Sequence, residues 1–261
     1  MNSGPRTRPN AGASRRIPGN LPETRAIPAL VQEAPARKRE MIEREAAMPT
    51  RRDPEKAVAA MADQEPKSLA ALNRLIAATE PLVAHGVEGG AGHAVLGEGP
   101  IGAEIAFVGE QPGDQEDRAG KPFVGPAGML LNRAMEEAGI DRRQVYVTNA
   151  VKHFKFEQRG KKRIHRKPTM GEVKRYRWWL MKELDFVHPK LVVALGGTAA
   201  AALAGKAVSV TKARGRADFD GRPGFITVHP SYLLRIPDAD AKQEAYNDFV
   251  RDLKRIHQIA A

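Results

Sequence analysis

Four short apolar runs punctuate the chain from residue 105 onward, and helical patterns separate them. The runs are Ile105–Val108, Val145–Thr148, Leu191–Leu195 and Phe225–Val228. They are nearly continuous in apolar character, as strands buried on both faces are. Apolar residues at helical spacing predict helices over 127–138, 169–185 and 198–204, and a last amphipathic helix over 239–257. Another helical pattern, Leu69, Leu72, Leu75, Ile76 and Leu82, comes earlier, and a Gly-rich loop over 86–100 joins it to the first strand. Strand alternating with helix predicts an α/β fold: a three-layer α/β/α sandwich with a central four-stranded parallel sheet.

Residues 1–65 break the pattern. Prolines recur from Pro5 to Pro54, Arg and Glu are plentiful, and large apolar residues are few. That composition predicts a disordered basic extension, with a transient helix over 36–47. The folded domain is expected over 66–261.

Each strand is followed by residues that carry chemistry. Gly109, Glu110 and Gln111 follow the first, Asn149 the second, Gly196-Gly197-Thr198 the third, and His229-Pro230-Ser231 the fourth. In a parallel sheet these positions share the carboxyl edge, where open α/β sheets bind ligands. Glu110, Asn149 and His229 are therefore expected to converge. Glu110 is a candidate acid, base or electrostatic stabiliser. The Asn149 amide donates and accepts together, which suits the edge of an amide-like base. His229 can donate to an oxygen that gains charge, and Phe123 can stack on a planar ligand. The readings left open are a turn cap for Asn149, a core position for Phe123 and a structural role for His229.

Charge adds a partner. Lys and Arg number 42 against 31 Asp and Glu, a net charge of +11, which favours a polyanion such as nucleic acid. The charge concentrates in one stretch after Asn149, with Lys152, Lys155, Lys161, Lys162, Arg163, Arg166 and Lys167 around Phe154 and Phe156. Basic residues interleaved with Phe suit a nucleic-acid strand; the alternative is a solvated charge run. His165 lies within it, and a neutral imidazole is a nucleophile. In His229-Pro230-Ser231-Tyr232-Leu233-Leu234-Arg235, the two Leu residues are a candidate wedge for a base stack, or else lie buried under the last helix. Arg235 is placed for a phosphate.

The chain has no cysteine, which excludes disulfides, zinc–cysteine sites and cysteine-ligated iron–sulfur clusters. No apolar run approaches a membrane span, and no apolar stretch follows Arg6, Arg8, Arg15 and Arg16 as a signal peptide requires. A cytoplasmic, nucleoid-associated protein without membrane contact is expected.

Four motifs carry a resemblance: GEQPGDQEDRAGKPFVGPAG at 109–128, VTNAVKHFKF at 147–156, KKRIHRKP at 161–168 and HPSYLLR at 229–235. Over residues 67–258 the chain resembles the UdgX branch of the uracil-DNA glycosylase superfamily, which is related to the family-four enzymes. The resemblance implies a uracil-DNA glycosylase-like fold acting on uracil in DNA; single-stranded DNA is the expected preference, because an unpaired base costs less to extrude, and a monomer is expected. Phe123 would stack on a flipped uracil and Asn149 would read its polar edge. His229 would bond the base oxygen, while Glu110 and Gln111 line the sugar side. His165 would bond covalently to C1′ after uracil leaves. Lys161, Lys162, Arg163, Arg166, Ser231, Leu234 and Arg235 would contact DNA. One departure is plain. The family's iron–sulfur cluster is held largely by cysteines, where this chain has Leu82 to His85 and Tyr176. No cofactor and no metal are therefore expected, with Tyr176, Phe154 and their neighbours filling the volume. The other readings kept open are a glycosylase that turns over with water and a non-catalytic nucleic-acid-binding protein.

Overall fold

The computed structural model describes residues 65–79 and 92–261. The extension expected over 1–65 falls outside these residues apart from Glu65, as do Leu82 to His85 and part of the Gly-rich loop. The described elements, in order, are α1 (Leu69–Ala78), β1 (Ile105–Gly109), α2 (Asp114–Ala119), α3 (Pro126–Glu137), β2 (Tyr146–Asn149), β3 (Phe156–Arg159) and β4 (Lys162–His165). They continue with α4 (Met170–Val187), β5 (Leu191–Leu195), α5 (Gly196–Ala204), α6 (Val210–Ala213), β6 (Gly215–Phe219), β7 (Arg222–Thr227), α7 (Pro230–Leu234) and α8 (Ala239–Ala260).

The main sheet runs β2-β1-β5-β7-β6. The four expected strands, β1, β2, β5 and β7, pair in parallel. Period-two alternation divides their side chains between two cores. Ile105, Phe107, Val147 and Val193 face α3 and α8. Ala106, Val108, Val192 and Ala194 face α1, α4 and α5. Helices thus cover both faces, and the described domain is the α/β/α sandwich expected. α5 is mostly alanine, and Ala199, Ala200 and Ala202 are fully or almost fully buried, so short side chains let it lie close on the sheet.

Two features go beyond the four-stranded expectation. β6 joins as an antiparallel edge strand, turned by Asp220 and Gly221, which have φ of 56° and 84°. Positive φ at both turn residues is what a tight Asp-Gly hairpin turn uses. The stretch after Asn149, expected as a long loop, folds into a second sheet, the β3–β4 hairpin.

A buried charged cluster ties β2 to α4. The Lys152 side chain is fully buried and donates to Glu183 Oε2 at 2.5 Å, Thr148 Oγ1 at 2.6 Å and the Asn149 carbonyl at 3.0 Å. Tyr146 donates its hydroxyl to Glu183 Oε1 at 2.8 Å. β2 is a sheet edge, so the Asn149 carbonyl needs a donor other than a strand, and Lys152 supplies it. Replacing one member of such a pair leaves an uncompensated buried charge. Lys152→Met is expected to cost about 3–5 kcal/mol, read as a fall in the urea midpoint; a change under about 1 kcal/mol would show that the pair does not support the fold.

Candidate active site

The carboxyl ends of β1, β2, β5 and β7 meet around Glu110. β1 ends in Gly109, directly opposite Asn149 in register. A Cβ on Gly109 would lie 2.3 Å from Asn149 Oδ1 and 2.7 Å from Phe123 Cζ. Glycine here is a packing requirement: it lets the amide and the ring close on the strand end. Asn149 is 3% exposed, and among the described residues no hydrogen bond occupies its side-chain amide. An amide at a sheet edge with no protein partner has its donor and acceptor available for a ligand.

Phe123 is buried on the loop entering α3, with a φ of 56°. A left-handed phenylalanine is rare and is stabilised only by its surroundings. Glu116, buried in α2, accepts from the Gly113 N–H at 3.1 Å and the Gly125 N–H at 2.7 Å and so clamps the loop. A Cβ on Gly128 would meet the Phe123 carbonyl at 1.8 Å, so α3 can start this close only with glycine there. The Phe123 ring then stands nearly parallel to His229, centroids 6.3 Å apart.

His229 caps α7. Its Nδ1 accepts from the Ser231 N–H at 3.1 Å and lies 2.9 Å from Ser231 Oγ. Arg235 donates to that same Oγ at 3.1 Å, which leaves the hydroxyl proton for Nδ1. With Nδ1 an acceptor, the neutral ring carries its proton on Nε2. Burial lowers the His229 pKa to about 4; Glu110 opposes this, and Arg235 and His165 add to it. At neutral pH His229 is an uncharged Nε2–H donor.

Glu110 is held at both oxygens. Thr198, third residue of α5, donates its hydroxyl to Oε2. His165 Nε2 stands 3.4 Å from Oε1. Burial works to raise the Glu110 pKa, but the hydrogen bonds from His165 and Thr198, with the electrostatic pull of His165 and His229, outweigh it and hold the carboxyl below its usual range. The group is an ionised carboxylate in contact with the His165 imidazole and within the electrostatic reach of His229.

His165 reaches this point on the β3–β4 hairpin, whose anchoring explains several of the basic residues. Arg163 Nε lies 2.5 Å from Asp114 Oδ1, and its Nη1 lies 2.5 Å from Asp117 Oδ2, both carboxylates on α2. Its guanidinium also lies over Phe154 and Phe156 at 5.4 and 5.1 Å. Expected at the DNA, Arg163 is instead bound internally. Arg166 pairs with Glu157 across the hairpin while remaining exposed. Gln111, expected at the sugar side, spends its amide on the hairpin base: Nε2 donates to the Lys155 and Arg166 carbonyls, each at 3.1 Å, and Oε1 accepts from the Lys155 N–H at 3.2 Å. Lys161 and Lys162 project from the exposed tip. On α7, Leu233 is core, whereas Leu234 is exposed beside Tyr232 and Arg235. Ser231 is taken up with His229 and Arg235.

What sequence reasoning missed is the pairing of Thr198 with Glu110, of Asp114 and Asp117 with Arg163, and of Lys152 with Glu183. Gly196-Gly197-Thr198 was legible as a helix start after the third strand, but the hydroxyl's direction was not.

A cysteine-ligated cluster does not fit the residues present. The chain has no cysteine, and among the described residues no group of three or more His, Cys, Asp or Glu is arranged to hold a metal ion. His153 Nδ1 instead lies 2.7 Å from Tyr176 Oη, and Tyr176 packs edge-on against Trp179, all three buried. Among the described residues no helix is long and apolar enough to cross a membrane.

The chain is similar in sequence to known proteins. The chain is 42% identical over 144 residues to a type-4 uracil-DNA glycosylase of Thermotoga maritima, covering 54% of this chain and 71% of that protein. It is 34% identical over 178 residues to a type-4 uracil-DNA glycosylase of Sulfurisphaera tokodaii, covering 64% and 75%. The model of the uracil DNA glycosylase superfamily matches residues 96–254, which include every residue placed at the site above. With the parallel sheet and the strand-end residues already in view, the chain belongs to the uracil DNA glycosylase superfamily.

Proposed function

We propose that the protein excises uracil from DNA and is then captured on the abasic sugar through His165, as a member of the UdgX branch. The observation that carries this reading is His165 Nε2 at 3.4 Å from Glu110 Oε1, presented by a hairpin with its own anchors. An imidazole against an ionised carboxylate is the arrangement of a nucleophile and its base.

The flipped base stacks on Phe123, and the Asn149 amide pairs with its polar edge. The bond between N1 and C1′ breaks with its electron pair going to uracil. Charge builds on a base oxygen, where the neutral His229 Nε2–H donates; a fixed donor aimed at developing charge is a large catalytic term. The sugar is left electron-poor at C1′, and the Glu110 carboxylate stabilises it. His165 first passes its Nε2 proton to Glu110 Oε1; the pair freed on Nε2 then bonds to C1′, and the uracil anion is later protonated. A tethered nucleophile has a very high effective concentration, so it outcompetes water. Lys161, Lys162 and Arg235 attract phosphates. An unpaired base costs less to extrude, so single-stranded DNA is the preferred substrate.

Uracil-containing single-stranded DNA, incubated with the protein and run on a denaturing gel, tests the reading. A slower band that survives denaturation is expected, absent with thymine in place of uracil. Abasic DNA released over many turnovers would replace capture with hydrolysis. Intact uracil DNA would leave a binding protein.

A further inference from the structure

Thr198 has no part in the steps above, yet its hydroxyl bonds directly to the group on which they turn. Its position is well fixed. The turn from β5 into α5 passes through Gly196 at φ +86°, where a Cβ would lie 3.0 Å from the His229 Cβ. Glycine there lets the turn slide past His229 and brings Thr198 under Glu110. Thr198 is 5% exposed, and a β-branched side chain on a helix has few rotamers, so the hydroxyl has little freedom to turn away.

The consequence lies in the two oxygens of one carboxylate. Oε1 faces His165 and Oε2 is occupied by Thr198. A water molecule attacking C1′ needs a base for its proton. Each oxygen keeps a second acceptor position, so Thr198 acts on direction: by holding Oε2 it fixes the rotation of the carboxylate and keeps Oε1 on His165, and an attacking water needs the carboxylate turned toward it instead. His165 needs no such turn, because it already lies against Oε1. We propose that Thr198 is a positioning residue that sets the partition between capture by His165 and hydrolysis by water. This rests on the reading of His165 as the nucleophile.

Losing the hydroxyl opens the hydrolytic route. In Thr198→Val the shape is kept and the carboxylate is free to turn. A water bonded to Oε2 can then pass its proton there as its oxygen bonds to C1′, giving a free abasic sugar and uracil. Serine keeps the hydroxyl and so keeps the partition.

The test uses the full chain with excess uracil-containing single-stranded DNA. Denaturing gels count the adduct, and alkaline cleavage of the unbound DNA counts free abasic sites. Wild type and Thr198→Ser are expected to trap nearly every excised site. Thr198→Val is expected to raise the ratio of free to trapped sites by about tenfold or more, the effect of one hydrogen bond to a charged group. The ratio counts only molecules that have reacted, so partial unfolding of the variant does not alter it; Thr198→Ala serves if the valine variant does not fold. An unchanged ratio, including a parallel loss of both products, overturns the inference and leaves Thr198 a structural contact. A wild-type protein that forms no adduct overturns the reading of His165 and this inference with it, and the wild-type lane alone distinguishes that failure.

Discussion

His165→Ala is expected to abolish the denaturation-resistant band while uracil release stays measurable. The variant removes the nucleophile, its contact with Glu110 Oε1 and a tilted ring contact with Phe154, and leaves the anchors of the hairpin in place. The His165 side chain is 51% exposed at the end of β4. The hairpin under it is held by Arg163 on Asp114 and Asp117 and by Gln111 on the Lys155 and Arg166 carbonyls, none of which involves the imidazole. The domain and its hairpin should therefore stay folded. Asn149, Phe123 and His229 remain to bind the base and receive the charge, and water can enter where the ring was. Trapping should fall to background, with free abasic sites appearing in its place. Release of uracil by the wild type and the variant, followed with labelled base, checks both halves. An adduct that persists in the variant would assign the bond to another residue.

His229→Ala is expected to slow uracil excision by about 10²–10³-fold, the usual loss when one donor to a developing oxyanion is removed. Its ring is oriented from behind by the Ser231 N–H and hydroxyl, so the proton on Nε2 is the one presented to the ligand. The wild-type pH profile follows from the same geometry. Burial sets the His229 pKa at about 4, and Glu110 lies below its usual range. Excision should persist through mildly acidic pH and fall only below the usual carboxylate range, where Glu110 takes up a proton and can no longer stabilise the sugar or accept the His165 proton. Stability falls over a higher window. Between 6.5 and about 4 the unfolded chain binds a proton at His229 that the folded chain refuses, so the folded state loses stability as pH falls across that window. In His229→Ala this part of the pH dependence should vanish. A rate within about threefold of wild type would remove His229 from a charge-stabilising role.

Much of the fold was legible because parallel strands buried on both faces announce themselves as apolar runs. Ile105–Val108 and Leu191–Leu195 needed no context. From them, a shared carboxyl edge was expected for Glu110, Asn149 and His229, and the strands that precede these residues do lie parallel and side by side in the sheet. β6 escaped because Gly215-Arg216-Ala217-Asp218-Phe219 alternates and has only one large apolar residue, as a half-exposed edge strand does. Its Asp220-Gly221 turn was the signal to notice.

The harder part was direction. The basic stretch reads as a uniform charge run, and nothing local distinguishes Arg163, turned inward onto carboxylates 46 and 49 residues away in sequence, from Lys161 and Lys162, which face solvent. Gln111 likewise sits beside Glu110 in the chain but spends its amide on the hairpin. Such pairings depend on how distant segments are brought together, which local periodicity does not encode. The Lys152–Glu183 pair is hidden for the same reason: a lysine in a basic stretch gives no sign of being fully buried.

The central claim is a bond between one atom of this chain and C1′ of the excised nucleotide. Digesting the denatured adduct with trypsin and nuclease, and sequencing the modified peptide by mass spectrometry, tests it most directly. The residual deoxyribose is expected on the peptide that contains Ile164 and His165, with the added mass on the histidine. The same mass on any other residue, or no modified peptide from a sample in which uracil has been fully released, would contradict it.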